Sequence, residues 1–410
     1  YFAFDLPKSL WCSTMGKPVS EGMHGFPLPR VPDTRVLPAE YDTSIAYNDF
    51  FLYLLQHILY NMGQPMLHRL PPKQNGTVPD FLLYFAGDDD ACDKQVTLDA
   101  YRVMEQYGLP YHVNLMPAPP DGTGFTLPKE EYDRLKSIGG EFSLHFDFVD
   151  AYGGPMTPEN FKKQFELYKK TYGDAPVSPV AHCLVTSGWT ERYRYMADLG
   201  IKSDHFHGGE VDRDDPENIN AFNLYGFTFG TAFPSFVFDD AEHYNKRIEF
   251  LNLPGAYYEP RLRGAEDEKT LQKIHRMVDD AAFFGRPAVM FMHPHYLSGH
   301  FEKTEVVFGA VQEALRYGEQ QGYTVDFTTP DRLTLWWLAR SRSTIEKLAQ
   351  NRYRVEVNAE DGIVVKLPMQ PGKQVMVNGA PAAAEEKTVD GLKWLMVPLT
   401  KKGQYELAVQ

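Results

Sequence analysis

The chain has 410 residues, too many for one ordinary core and enough for two or three folded units. Hydrophobic residues at 43% and charged residues at 23% are those of a globular protein, which argues against disorder. A net charge of −14 argues against nucleic acid or an anionic membrane as partner, because neither supplies the counter-charge that drives such binding.

Residues 1–77 read as an N-terminal extension. Pro18, Pro27, Pro29 and Pro32 punctuate its first part, and one helix follows, from about Ser44 to Met62, closed by Gly63. Its apolar run Phe50–Leu55 is far short of a membrane span, so none is expected. From Val78 the texture changes. Phe81–Phe85 is a short apolar run bounded by Pro79-Asp80 and Gly87, and reads as a buried strand with Asp88, Asp89 and Asp90 at its end.

Amphipathic helix, Gly turn and apolar strand then alternate. The strands are 111–116, 141–146, 179–184, 201–206, 235–238, 287–292 and 323–328. The helices between them include 129–138, 158–172, 190–199, 267–284 and 304–321, several stopped by glycine. About seven or eight mostly parallel strands alternating with helices predict an α/β fold, a (β/α) barrel over 78–349 whose last helix runs from Asp331 to Ala349. Residues 350–410 read as a small antiparallel, sandwich-like β domain with turns at Asn378-Gly379 and Asp390-Gly391.

Three adjacent acids at a strand end repel one another, so the fold must solvate them, use one as a helix cap, or neutralise them with a cation. The other strand ends favour the cation. His145 and Asp147 close one strand, His182 the next, then Asp204, His205 and His207, Asp239 and Asp240, and finally His293 and His295. On a barrel these positions converge on one rim. Imidazole with carboxylate suits a divalent metal, zinc above all. The three cysteines, Cys12, Cys92 and Cys183, supply neither a disulfide framework nor a Cys-x-x-Cys knuckle.

The order of an Asp pair closing the first strand, His145 two strands later and a final Phe291-Met292-His293 resembles the polysaccharide deacetylase family, metal-dependent carbohydrate esterases with a distorted barrel. The resemblance covers roughly Val78 to Pro330. The family's first motif, Thr-Phe-Asp-Asp-Gly, lies against Ala86 to Ala91 and implies Asp89 as catalytic base and Asp90 as metal ligand, or Asp88 and Asp89 one register lower. His145 matches the first of two family histidines four apart, but Val149 stands at the second. Asp147, Asp150 and His182 are within reach as replacements, and His182, ending the neighbouring strand, is the preferred third ligand. The family's Arg-Pro-Pro-Tyr motif is absent, and His293 matches its late histidine, a general acid.

The chemistry expected is a metal-activated water that removes acetyl groups from a carbohydrate, with zinc, nickel or cobalt as the cation. Asp88, Asp147, Asp204, His205, His207, Asp240 and His295 are candidate substrate contacts, and His205 and His207, two apart on a strand, are expected to face the same side. Two alternatives stand beside this one. A metal-independent glycosidase would use paired carboxylates such as Asp89 and Asp240. A carbohydrate-binding protein with a decayed site would explain Val149 and the missing motif. No signal peptide is visible, but the chain begins at Tyr1 rather than Met; a polysaccharide substrate would place the protein outside the cytoplasm, periplasmic or secreted.

Overall fold

The structure, a computed structural model, describes residues 5–22, 27–36, 42–118, 122–150, 155–208, 226–255, 257–262, 267–370 and 372–410. Its centre is the strand β1 (Phe81–Asp88), buried at all eight positions because sheet and helices cover both its faces. Parallel pairing carries the sheet from β1 to β2 (His112–Leu115), β3 (Glu141–Phe146) and β4 (Val180–Ala181).

Beyond β4 the ladder continues through single bonds. Lys202 N donates to Val177 O (3.0 Å) and His205 N to Pro179 O (3.2 Å), which brings in β5 (Ser203–Gly208). Next comes β6 (Arg247–Gly255), parallel to β5. Tyr258, just past β6, bridges Phe291 at the end of β7 (Pro287–Phe291), and β7 pairs in parallel with β1. Seven strands therefore close a barrel. An eighth, β8 (Val325–Thr328), pairs only with Phe81–Tyr84 of β1, on the same edge that takes β2 higher up. It wedges into the lower half of the ring, and that wedge is the distortion.

Three sequence expectations need correction. Ser235–Phe238 is a strand, but it lies antiparallel to β6 outside the ring, so Asp239 and Asp240 do not end a barrel strand. The true sixth strand, β6, was not anticipated because its first residues are charged or exposed and its apolar part is only Phe250–Leu253. The last helix ends at Ser341, not Ala349: Thr344–Ala349 is the edge strand of a five-stranded antiparallel sheet. A four-stranded sheet accompanies it, and Met66–Leu67 of the extension forms its edge.

The extension holds two helices rather than one, Leu6–Met15, capped by Asp5 with Pro7 in its first turn, and Tyr47–Asn61. Buried polar bonds pin it down. Asp49 accepts from Thr231 Oγ1 (2.7 Å) and Ala232 N (2.9 Å), and Asn48 Nδ2 donates to Phe229 O (2.9 Å). Bridges Val19–Gly188 and Arg30–Val185 also brace the segment just after His182. No helix among the described residues is long and apolar enough to cross a membrane.

Candidate metal centre

The carboxyl ends of β1, β3 and β4 bring Asp90, His145 and His182 together. Asp90 Oδ1 lies 3.3 Å from His145 Nε2 and 3.1 Å from His182 Nδ1, and the two imidazole nitrogens are 3.1 Å apart. The outer ring nitrogens assign the tautomers. His145 Nδ1 faces Val180 O (3.3 Å) and His182 Nε2 faces Asp150 Oδ2 (3.3 Å), so each proton belongs on the outer side. Two lone pairs and a carboxylate oxygen then point at one spot, and the buried Asp90 Oδ1 has no hydrogen-bond partner there. Two histidines and a carboxylate aimed this way fit a divalent cation.

The backbone reaches this geometry at a cost. Asp90 and Ala91 have φ of 46° and 52°, Cys183 and Leu184 both 55°, and Glu259 44°, all left-handed without glycine. The remaining non-glycine residues of this kind are Tyr244, Asn245, Asn351, Asn378 and Asp390, away from the cleft. Strain concentrated on three turns around one cleft marks a functional site.

Alternation along the strand sorts the three acids. Asp88 faces the cleft, where its Oδ2 stands 3.6 Å from His145 Nε2 while Oδ1 accepts from Asn114 Nδ2 (2.9 Å). Burial raises its pKa, against the pull of His145 and His293. Asp89, expected as the base, points the other way. Its Oδ1 accepts the backbone N–H of Met116 (2.8 Å) and Ala91 (3.1 Å), and burial pushes its carboxyl up to about 8. Neither family register holds: the cleft-facing pair is Asp88 and Asp90, because the left-handed turn brings Asp90 back over the strand end.

His293 stands opposite, with Nε2 3.4 Å from Asp90 Oδ2. Its Nδ1 is 2.6 Å from Glu259 Oε1, and Arg261 holds the other oxygen of Glu259 at 3.2 Å. Burial alone would lower the imidazole's pKa, but the Asp90 and Glu259 carboxylates push it up to about 9. Glu259 had no sequence signal beyond the apolar run of β6 ending at Pro254-Gly255. Asn114 and Asp150 were likewise not picked out.

A cleft of about 420 Å³ opens here, lined by Asp88, Asp90, His145, His182, Cys183 and His293, with His295 and the aromatics Phe206, Tyr258, Phe291, Tyr296 and Phe301. The other predicted contacts lie elsewhere. Asp147 is buried, its Oδ1 tied to the N–H groups of Val149 and Asp150. Asp204 pairs with Arg192 at 2.7 Å on the outer side of β5. A bulge between Asp204 and His207 breaks the alternation. His205 and Phe206 thus both turn inward, His205 against Asn114 Nδ2 (3.2 Å), while His207 turns out to Tyr193 Oη (3.2 Å) and Phe229. Asp240 is bound to Arg194 (2.9 Å) and His243, so Asp89 and Asp240 cannot act as a carboxylate pair across one cleft.

No protein-family model and no curated protein matches this chain. Among solved structures, it is similar to a protein of Mycobacterium smegmatis described as a polysaccharide deacetylase, with 11% identity and a TM-score of 0.37 over 61% of this chain and 88% of that one. The chitin deacetylase of the fungal pathogen Colletotrichum lindemuthianum aligns at 13% identity and a TM-score of 0.33, over 61% and 86%. A family 4 acetyl xylan esterase from Clostridium thermocellum, in complex with a cobalt ion, aligns at 14% and 0.31, over 62% and 89%.

Proposed function

We propose that the protein is a metal-dependent hydrolase that removes an acyl group, most simply acetyl, from a carbohydrate. The observation that carries this reading is the meeting of a His–His–Asp donor set with one buried carboxylate, Asp88, and one carboxylate-backed imidazole, His293, across a single aromatic-walled cleft. A divalent cation held by Asp90, His145 and His182 supplies Lewis acidity and brings a coordinated water's pKa down to about 7. Asp88, made more basic by burial, accepts the proton of the attacking water at Oδ2. His293 carries a proton on Nε2 at neutral pH and delivers it to the departing alcohol or amine, while Glu259 holds the ring through Nδ1. Tyr258, Tyr296 and Phe301 offer faces to a sugar ring, and the acidic chain repels polyanionic substrates, which favours a neutral glycan. Such a substrate agrees with an extracytoplasmic location.

The test is metal content by inductively coupled plasma mass spectrometry beside acetate release from acetylated sugars with zinc, cobalt or nickel. Wild type is expected to hold near-stoichiometric metal that Asp90→Asn and His145→Ala both lose. Asp88→Asn is expected to keep the metal and lose turnover by about 10²–10⁴-fold. A wild type that takes up no metal and releases no acetate after incubation with all three ions overturns the reading.

A further inference from the structure

Three buried atoms at the opposite end of the barrel have no partner. They are His112 Nδ1, at the first residue of β2, Glu141 Oε2, at the first residue of β3, and Asp331 Oδ1, in the first turn of the helix Pro330–Ser341 that follows β8. His112 is fully buried, and its Nδ1 stands 3.8 Å from Asp331 Oδ1. One ligand atom from each of the three lies within 4.8 Å of the others. Four residues of β3 separate Glu141 from His145, about 13 Å of strand, so this cluster is distinct from the cleft.

An orphaned polar atom in a protein interior is uncommon, because each costs about 1–3 kcal/mol of lost hydration. Three from three separate elements, aimed at one another, call for something between them. The other nitrogen of His112, Nε2, faces Asn114 Oδ1 at 3.4 Å, and an amide oxygen there selects the tautomer with hydrogen on Nε2. Nδ1 is therefore a lone pair directed at two carboxylates. Arg332 Nε occupies only Glu141 Oε1 (2.9 Å), leaving Oε2 turned inward. The third His–carboxylate group of the molecule, Asp239, Asp240 and His243, is different: Arg194 already sits between its acids.

We propose that His112, Glu141 and Asp331 form a second, structural divalent-cation site. One imidazole with two carboxylates suits zinc, cobalt or manganese. It ties β2 and β3 to the helix after β8, where that strand interrupts the ring, and its role is to hold the barrel's base closed rather than to react. The proposal stands whether or not the cleft binds metal.

The experiment counts metal in the Asp90→Asn/His145→Ala double variant, which disables the cleft, and follows its thermal unfolding with added zinc, cobalt or manganese chloride. The expected result is one tight equivalent and a rise in Tm of several degrees. Adding the isosteric change Asp331→Asn, or separately Glu141→Gln, to that background is expected to remove both the equivalent and the Tm response. Two variants guard against one that fails to fold. No bound metal and no Tm response with any of the three ions in the double variant overturns the proposal, as does metal binding that both added changes leave intact. If wild type holds one equivalent that the double variant keeps, the second site survives and the cleft's metal reading falls.

Discussion

At the level of single residues, the two neighbours Asp88 and Asp89 separate cleanly. Asp89 is buried with its carboxyl raised to about 8, so it is largely neutral at pH 7 and asparagine is nearly its isostere. Asp89→Asn is expected to retain turnover within a few-fold, against the large loss for Asp88→Asn; equal losses in a steady-state acetate assay would show that Asp88 is not the base. Glu259 gives a pH test. His293 must be protonated to act as an acid, and its pKa is about 9 because the Asp90 and Glu259 carboxylates outweigh burial. Glu259→Gln removes one of those charges and lowers that pKa. The alkaline limb of kcat is then expected to move to lower pH, with Glu259→Asp restoring part of the shift. A limb that stays in place in Glu259→Gln would rule out His293 as the acid.

At the level of elements, one glycine couples the strand that carries Asp88 to the turn that carries His293. A Cβ on Gly87 would lie 2.0 Å from Met292 O and 2.6 Å from Tyr111 Oη, and Tyr111 itself donates to Met292 O. Backbone cannot yield there as a flexible side chain would. Gly87→Ala is expected to destabilise the fold by about 1–3 kcal/mol and to impair turnover by pushing β1 from β7, read by urea unfolding and by kcat. Wild-type stability in this variant would mean the two strands are free to separate. This contact also marks how far sequence could reach. Period and glycine punctuation made β1 to β5 and β7 legible, and with them Asp90, His145, His182 and His293 as strand-end groups. What was lost depends on local backbone. The left-handed pair Asp90–Ala91 overrides simple alternation, so the acid pair was misregistered. The bulge in β5 separates His205 from His207. β6 hides behind charged residues, and with it went Glu259 and the false assignment of Asp240 to the rim.

At the level of the whole molecule, extension, barrel and sandwich meet over a buried amine. Lys366, on the strand Ile363–Pro368, is 3% exposed; its Nζ donates to Gln56 Oε1 of the extension helix and lies 4.7 Å from the ring centre of Trp394. Arg340, from the last barrel helix, donates nearby to His68 O and, at 2.8 Å, to Leu67 O. Burial, with Arg69 and Arg340 adding to it and only Asp390 opposing, holds the Lys366 pKa well below the usual lysine value of 10.5. The folded chain therefore carries a neutral amine where the unfolded chain carries a proton. Because the unfolded state binds more protons, stability contributed here rises with pH between the two pKa values, by about 1.4 kcal/mol per unit, and is lost as pH falls. Replacing both partners by apolar groups, Lys366→Met with Gln56→Leu, removes the proton linkage without orphaning either side. The double variant is expected to exceed wild type by about 1–4 kcal/mol at neutral pH, the gap closing toward alkaline pH, as measured by urea unfolding across that range. A gap that is constant with pH would mean that Lys366 stays charged in the fold, with the Trp394 face and Gln56 sufficient to hold its proton.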